Sequence, residues 1–359
     1  MKDSAKKLGA LLLCCILISV FSACGGGKKS TSNASADGEK STNLTSTDDF
    51  IPVEWRMANQ HPNDSFVTLA DKEIIDSIKE ATDGRVNITL YPDNQLGDYM
   101  SVFDEIMFGS VEMGHISVNS AYDSRLLGTF LPYLATGYDQ LATIYSPDSY
   151  LFKTIHEIES KLGIELMGFF CEGFDGVGTD VELTDAAVVG AEKGALIRVP
   201  AMDTFAECNI ELGFRTTTIP YSDTYTSIQT GLADGWAGGP ANLNYQYFRD
   251  VLNHFYDYQQ VQEATHILIS KTAFEKLLPE DQESIRTIIQ DKCLDSISLA
   301  QEDEGKYKTL LEESGVTVVE FSDSERATFA DAVRANVWPK LAQTFTQEFL
   351  DNVLASFNE

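Results

Sequence analysis

Val53, Trp55 and Met57 are apolar at every second position, the period of a strand with one face in a core. The period then changes: Phe66, Leu69, Ala70, Ile74, Ile75 and Ile78 recur at helical spacing, which predicts a helix stopped by Asp83-Gly84. Alternation returns at Val86, Ile88 and Leu90 and closes at Tyr91-Pro92-Asp93-Asn94. A second helix is expected from Asp98 to Phe108, stopped by Gly109, and a third strand from Val111 to Val118. The rhythm restarts with a strand from Ala195 to Val199, a helix from Asp203 to Leu212 stopped by Gly213, a strand from Thr216 to Ile219 and a helix from Asp223 to Thr230 stopped by Gly231. Such alternation favours parallel sheets covered by helices, with ligand sites at the carboxyl ends of strands, and two runs of it predict two α/β lobes. Pro279-Glu280-Asp281 opens the longest helical pattern, running to Ser314-Gly315, with proline and acids suited to a first turn and enough length to lie across both lobes. Ser322-Asp323-Ser324-Glu325 has the spacing of a capping box and launches a further helix toward Trp338-Pro339.

Ahead of this pattern, Lys2, Lys6 and Lys7 precede an apolar stretch from Leu8 to Phe21, too short to span a bilayer comfortably and read as an export signal. Phe21-Ser22-Ala23-Cys24 resembles a bacterial lipobox, with phenylalanine where leucine is usual, so Cys24 is expected to carry lipid after removal of residues 1–23. Residues 24–50 have almost nothing to bury and read as a flexible tether. The expected organisation is then lobe I over 51–175 with about 264–303, and lobe II over 176–263 with about 304–359. The expected address is extracytoplasmic, in the periplasm or on the outer face of the cell membrane, with attachment through the lipid.

Hydrophobic residues make up 43% and charged residues 23% of the chain, enough apolar content for a packed core. A formal net charge of -29 repels phosphate polyanions and argues against nucleic-acid binding. Cys14 and Cys15 lie in the signal and Cys24 takes lipid, which leaves Cys171, Cys208 and Cys293: an odd, scattered set that implies buried thiols rather than a disulfide framework. No GxSxG, HExxH or paired CxxC is present and the histidines are scattered, so no catalytic residue, metal or cofactor is indicated.

Leu196-Ile197-Arg198-Val199-Pro200 poses the chemical question, because it sets a guanidinium inside a predicted core strand. Burying an unpaired guanidinium costs several kcal/mol, so Arg198 either meets a carboxylate of the chain or faces a cavity that takes an anion. Its planar fork suits two-point contact with a carboxylate.

That segment, with Leu212-Gly213 and with Tyr225-Thr226-Ser227-Ile228-Gln229-Thr230-Gly231-Leu232-Ala233-Asp234-Gly235, resembles the central signature of the DctP-type solute-binding proteins of TRAP (tripartite ATP-independent periplasmic) transporters. Thr82-Asp83-Gly84-Arg85-Val86, Tyr91 to Gly97, Met107 to Met113 and Leu278-Pro279-Glu280 are similar to further blocks of that family, in order. The resemblance implies a two-lobed class II periplasmic-binding-protein fold with a long helix spanning both lobes. It also implies a receptor, not an enzyme, that closes by hinge motion on a small organic acid and delivers it to the membrane permease subunits. A receptor for a sensor kinase would have the same sequence, and a lipoprotein hydrolase using cleft carboxylates is the other alternative.

By the same resemblance Arg198 is the carboxylate-binding arginine, and Tyr221 stands where the family often places an aromatic against the ligand, or else lids the core. Asp175, in Gly173-Phe174-Asp175, falls where the family commonly has a second arginine. It either favours a guest with one carboxylate plus a cationic or hydroxyl-rich part, or points into solvent. Around Trp236-Ala237-Gly238-Gly239-Pro240, glycines replace a family asparagine. Gly238 is expected to let backbone approach the guest, and Trp236 either walls the pocket or packs in the core.

Overall fold

The computed structural model describes residues 51–356, so the expectations for the signal, the tether and lipid on Cys24 lie outside the described residues. Strand β1 (Val53–Asn59) leads through helix α1 (Phe66–Ala81), β2 (Val86–Tyr91) and α2 (Tyr99–Phe108) to β3 (Met113–Ile116). Helices α3 (Leu141–Tyr145) and α4 (Tyr150–Lys161) precede β4 (Ile164–Phe174), which passes Asp175 into β5 (Gly176–Thr179). Next come β6 (Leu196–Val199), α5 (Asp203–Leu212), β7 (Arg215–Thr218), α6 (Thr224–Gln229), β8 (Gly235–Gly239) and α7 (Ala241–Leu243). After β9 (His254–Asp257), β10 (Gln262–Ser270) runs to α8 (Lys271–Phe274), α9 (Pro279–Glu313) and β11 (Thr317–Glu320). Helices α10 (Asp323–Asn336), α11 (Trp338–Phe345) and α12 (Gln347–Ala355) end the described chain.

The strands form two sheets, in the orders β2-β1-β3-β10-β4 and β11-β9-β5-β8-β6-β7. β1 pairs in parallel with β2 and β3, and β6 with β7 and β8, as strands joined through helices do. β10 is antiparallel to both β3 and β4. The chain crosses between the sheets at Asp175, between Asp257 and Gln262, and between α9 and β11. Helix α9, 35 residues long, packs on β4 and α1 of the first lobe and on α7 and β11 of the second.

Local chemistry accounts for the ends of the elements. Ser65 caps α1 by accepting from Thr68 N, Asp98 caps α2 by accepting from Met100 N, and Ser322 and Glu325 form the capping box of α10. Gly213 terminates α5 at φ 105, where an added Cβ would come within 1.9 Å of the Ala191 carbonyl oxygen. The three described cysteines, Cys171, Cys208 and Cys293, are free and buried.

Two departures from the sequence reading concern the long buried strands and the C-terminus. β4 and β10 are buried along their whole lengths and so show no alternation. Helix α10 packs on α5 of the second lobe, but α11 packs on residues 124–130 and α12 on α4, both of the first. Tyr150 and Phe349 rings lie 6.0 Å apart across the latter contact. The assignment of all of 304–359 to lobe II is corrected accordingly: the apolar faces of α11 and α12 are buried against the first lobe.

Candidate functional site

Between the two sheets lies a cavity lined by Gln60, Tyr99, Ser117, Phe130 and Glu263 from the first lobe and by Arg198, Pro200, Met202, Phe205, Tyr221, Gly238 and Leu243 from the second. It measures about 30 Å³, room for about two water molecules.

Arg198 sits on β6 between β7 and β8, opposite Thr217 and Trp236, so its backbone is fixed by pairing on both sides. Its side chain is 2% exposed. Nε donates to the Ile219 carbonyl at 2.8 Å, and the guanidinium carbon stands 5.8 Å from the centre of the Tyr221 ring. Among the described residues no carboxylate closes an ion pair with it, although Asp98 and Glu263 contribute to its field. Burial penalises the charged form and draws its pKa down to about 10, which leaves it cationic at neutral pH. Arg198 also borders the cavity, as an anion site requires.

Around that charge the lining is polar and oriented. The Gln60 amide accepts from Ser117 N at 3.0 Å and donates to Ser117 Oγ at 3.3 Å, which ties the loop after β1 to the strand end after β3. Tyr221 follows β7 in a short turn; its hydroxyl is buried without a hydrogen-bond partner among the described residues, and burial pushes the phenol well above its ordinary pKa. Tyr99 begins α2, and desolvation raises it to about 12. Gly238 has φ +126, a conformation glycine adopts without strain, and a Cβ there would stand 3.4 Å from Arg198 Nη1.

Behind the cavity the first lobe holds a closed ring of buried polar contacts. His61 Nε2 lies 2.8 Å from Glu172 Oε2, and His61 Nδ1 is 2.9 Å from Asn59 Oδ1. Asn59 donates to Asp71, whose other oxygen is 2.7 Å from His115 Nδ1. His115 Nε2 meets Thr265 Oγ1 at 2.9 Å, and that hydroxyl donates back to Glu172 at 2.5 Å. Glu172 is held below the ordinary carboxylate range because these contacts outweigh its desolvation. Across the lobes, the Tyr247 hydroxyl donates to Asp93 Oδ1 at 2.8 Å and lies 3.4 Å from the Gln60 carbonyl oxygen.

Of the residues singled out in the sequence, Arg198, Tyr221 and Gly238 border the cavity and Trp236 and Asp175 do not. Trp236 is a core residue: its Nε1 donates to Asn244 Oδ1 at 2.9 Å, and its ring packs 4.4 Å from that of Phe248. Asp175 does not point into solvent; it is 0% exposed, buried against Glu263. Glu263, Tyr99 and Gln60 were missed, since nothing in the sequence distinguishes one of 55 acids, or a phenol and an amide at element ends.

Among the described residues no group of three or more His, Cys, Asp or Glu side chains is placed to hold a metal ion, and no helix is long and apolar enough to cross a membrane. Residues 57–344 match the DctP family, bacterial extracellular solute-binding protein, family 7. The chain belongs to the DctP family. A solute-binding protein of Roseobacter denitrificans is 24% identical over 274 residues, 75% of this DctP-family chain and 82% of the relative. A TRAP periplasmic solute-binding protein of Haemophilus influenzae, solved with bound L-gulonate, superposes with a TM-score of 0.76 at 18% identity, over 85% of this chain and 98% of that one. Its counterpart from Shewanella oneidensis, solved with succinate, gives 0.75 at 18% identity, over 85% and 99%. These structures share the fold of this DctP-family receptor: two lobes bridged by a long helix. As a member of an extracellular solute-binding family, it acts outside the cytoplasm by binding rather than by converting a substrate.

Proposed function

We propose that this receptor captures a small organic acid by seating one carboxylate on Arg198, closes its lobes over it, and presents the closed form to the permease subunits of a TRAP-type transporter. The observation that carries the reading is a guanidinium 2% exposed, free of any ion pair within the described residues, at the wall of an inter-lobe cavity. A buried charge of that kind is stabilised when an anion arrives. Tyr221 packs beside the guest, and Gly238 leaves room for the guanidinium to turn toward it. The acids named for related structures, gulonate and succinate, give the size class to try first. A guest that touches both lobes favours the closed state by its differential affinity, and the Tyr247–Asp93 contact adds to that state alone. Lipid on Cys24 would hold the receptor at the membrane surface, near its permease.

Mass spectrometry of small molecules released on denaturing the freshly purified protein tests the reading. A carboxylic acid that returns to the emptied protein and raises its melting temperature is the expected result; release and rebinding of an uncharged or cationic compound alone refutes it. Detergent partitioning of the parent and of Cys24→Ala tests the anchor: the parent enters the detergent phase and the variant does not.

A further inference from the structure

Two of the crossings between the lobes lie side by side and are tied together. Asp175 N donates to the Val261 carbonyl at 2.8 Å, and Gln260 N donates to the Asp175 carbonyl at 3.1 Å. At this hinge the Asp175 carboxyl is 0% exposed, and among the described residues no donor gives a hydrogen bond to either of its oxygens. Its contact is the carboxyl of Glu263 on β10, which is 5% exposed and borders the cavity that Arg198 also lines. Two buried carboxyls in contact, one of them with no donor to either oxygen among the described residues, are strongly disfavoured as a pair of anions, and a proton between them relieves the repulsion.

The surrounding groups do not remove that need. Glu172 on β4 faces both acids, and its own charge is already satisfied by His61 and Thr265. Arg198, from β6, is the cation that faces Glu263. The Cys171 thiol and the phenols of Tyr99, Tyr145 and Tyr221 face the acids from β4, α2, α3 and the turn after β7, and burial raises all of them, so they stay uncharged near neutral pH. Desolvation, with repulsion from Glu172, raises Asp175 well above the ordinary carboxylate range, its contact with Glu263 opposing; desolvation, with repulsion from Asp175 and Glu172, raises Glu263 likewise.

We propose that Asp175 and Glu263 hold one proton between them at the hinge, and that Glu263 is the specificity-determining residue of the cavity, accepting a hydrogen bond from a hydroxyl or ammonium group of the guest. This rests on the reading of Arg198 as the anchor for the guest's carboxylate. A hydroxy- or amino-monocarboxylate then supplies a negative end for Arg198 and a donor for Glu263, with no proton taken up. A guest with a second carboxylate at that end places three carboxyls around one proton, and it binds only by bringing a further proton from the buffer to lie between itself and Glu263.

The test is isothermal titration of the full chain at about pH 8 with two matched pairs, L-gulonate against D-glucarate and succinamate against succinate, each in buffers of different ionisation enthalpy. The monocarboxylate of a pair is expected to bind tighter by about 30-fold or more, since like charges brought together out of water are strongly disfavoured. A measurable dicarboxylate should take up about one proton per site. In Glu263→Gln the ratio should narrow by about tenfold or more, because a neutral amide can donate to the second carboxylate. Dicarboxylates that bind the parent within about threefold of their partners without proton uptake, binding of none of the four acids, or an unchanged ratio in Glu263→Gln overturn the proposal. The buffer comparison on the parent decides the matter by itself if that variant does not fold. Survival of gulonate binding in Arg198→Met means that the anchor has failed, whereas its loss there with an unchanged ratio in Glu263→Gln removes only the role of the acid pair.

Discussion

Replacing Arg198 with methionine separates affinity from stability, and the structure predicts opposite signs for the two. Methionine keeps much of the length and apolar stem but removes the charge and its donors. For a bound acid, the lost partner is the centre of a buried, hydrogen-bonded charge pair, which costs about 2–5 kcal/mol, or roughly 30- to 5,000-fold in Kd. For the unliganded protein the balance runs the other way. The drop of Arg198 from its ordinary value to about 10 corresponds to about 3 kcal/mol of penalty on burying the charge. Against it stands the hydrogen bond to the Ile219 carbonyl, about 1 kcal/mol. Arg198→Met should therefore melt at or a few degrees above the parent when both are free of ligand, while titration with L-gulonate shows weak or no binding. Calorimetric melting of stripped protein and isothermal titration read the two quantities separately. A variant that melts several degrees lower yet binds within about threefold of the parent would show that the side chain is a strut for the second lobe rather than an anchor, and the reasoning from the uncompensated charge would be wrong.

Three further outcomes follow from the same geometry. Gly238→Ala puts a side chain at φ +126 and a methyl 3.4 Å from Arg198 Nη1, so it should cost about 1–3 kcal/mol of stability and weaken acid binding together; unchanged melting and affinity contradict the close approach. Tyr247→Phe removes the hydroxyl that reaches Asp93 and the Gln60 carbonyl across the lobes, and small-angle scattering of the unliganded protein should show a larger open fraction, with affinity reduced about five- to tenfold; identical scattering curves speak against a latch. Glu165, in contact with Arg286 at 2.6 Å and His156 at 3.1 Å, is lowered to about 2 by those partners against the opposing desolvation. Because its folded pKa is depressed, its contribution is fully present above about pH 4.5 and is lost as pH falls through about 2, on the order of 2 kcal/mol in all. Glu165→Gln should flatten the acid limb of Tm against pH, and a limb of unchanged steepness would argue against the contact.

Periodicity, stop signals and caps were legible in the sequence because each is set by neighbours along the chain. The alternation of Val53, Trp55 and Met57 appears as β1, Gly109 and Gly213 end their helices in left-handed conformations, and Ser322 and Glu325 cap α10. β4 and β10 carry no such signal: both faces are covered, and Glu172, Glu263 and His266 interrupt their apolar runs, so neither the period of a half-buried strand nor a clean hydrophobic stretch remains.

The same division holds for the site. Arg198 stands out in the sequence because a permanent charge inside an apolar strand needs a reason that local structure does not supply. Asp175, Glu263, Tyr99 and Gln60 are ordinary residues until the fold brings them together, and no pattern along the chain separates a solvated acid from one pressed against another at a hinge. Desolvation and carboxyl–carboxyl contact are properties of the space between the sheets, which exists only once strands distant in the chain have packed. The chain's own order determined its alternating elements, its long helix and one conspicuous cation. Tertiary packing decided which acids lost their water, which of them shares a cavity with that cation, and that Trp236 supports the wall from behind, because each of these depends on distances across the fold and not along it.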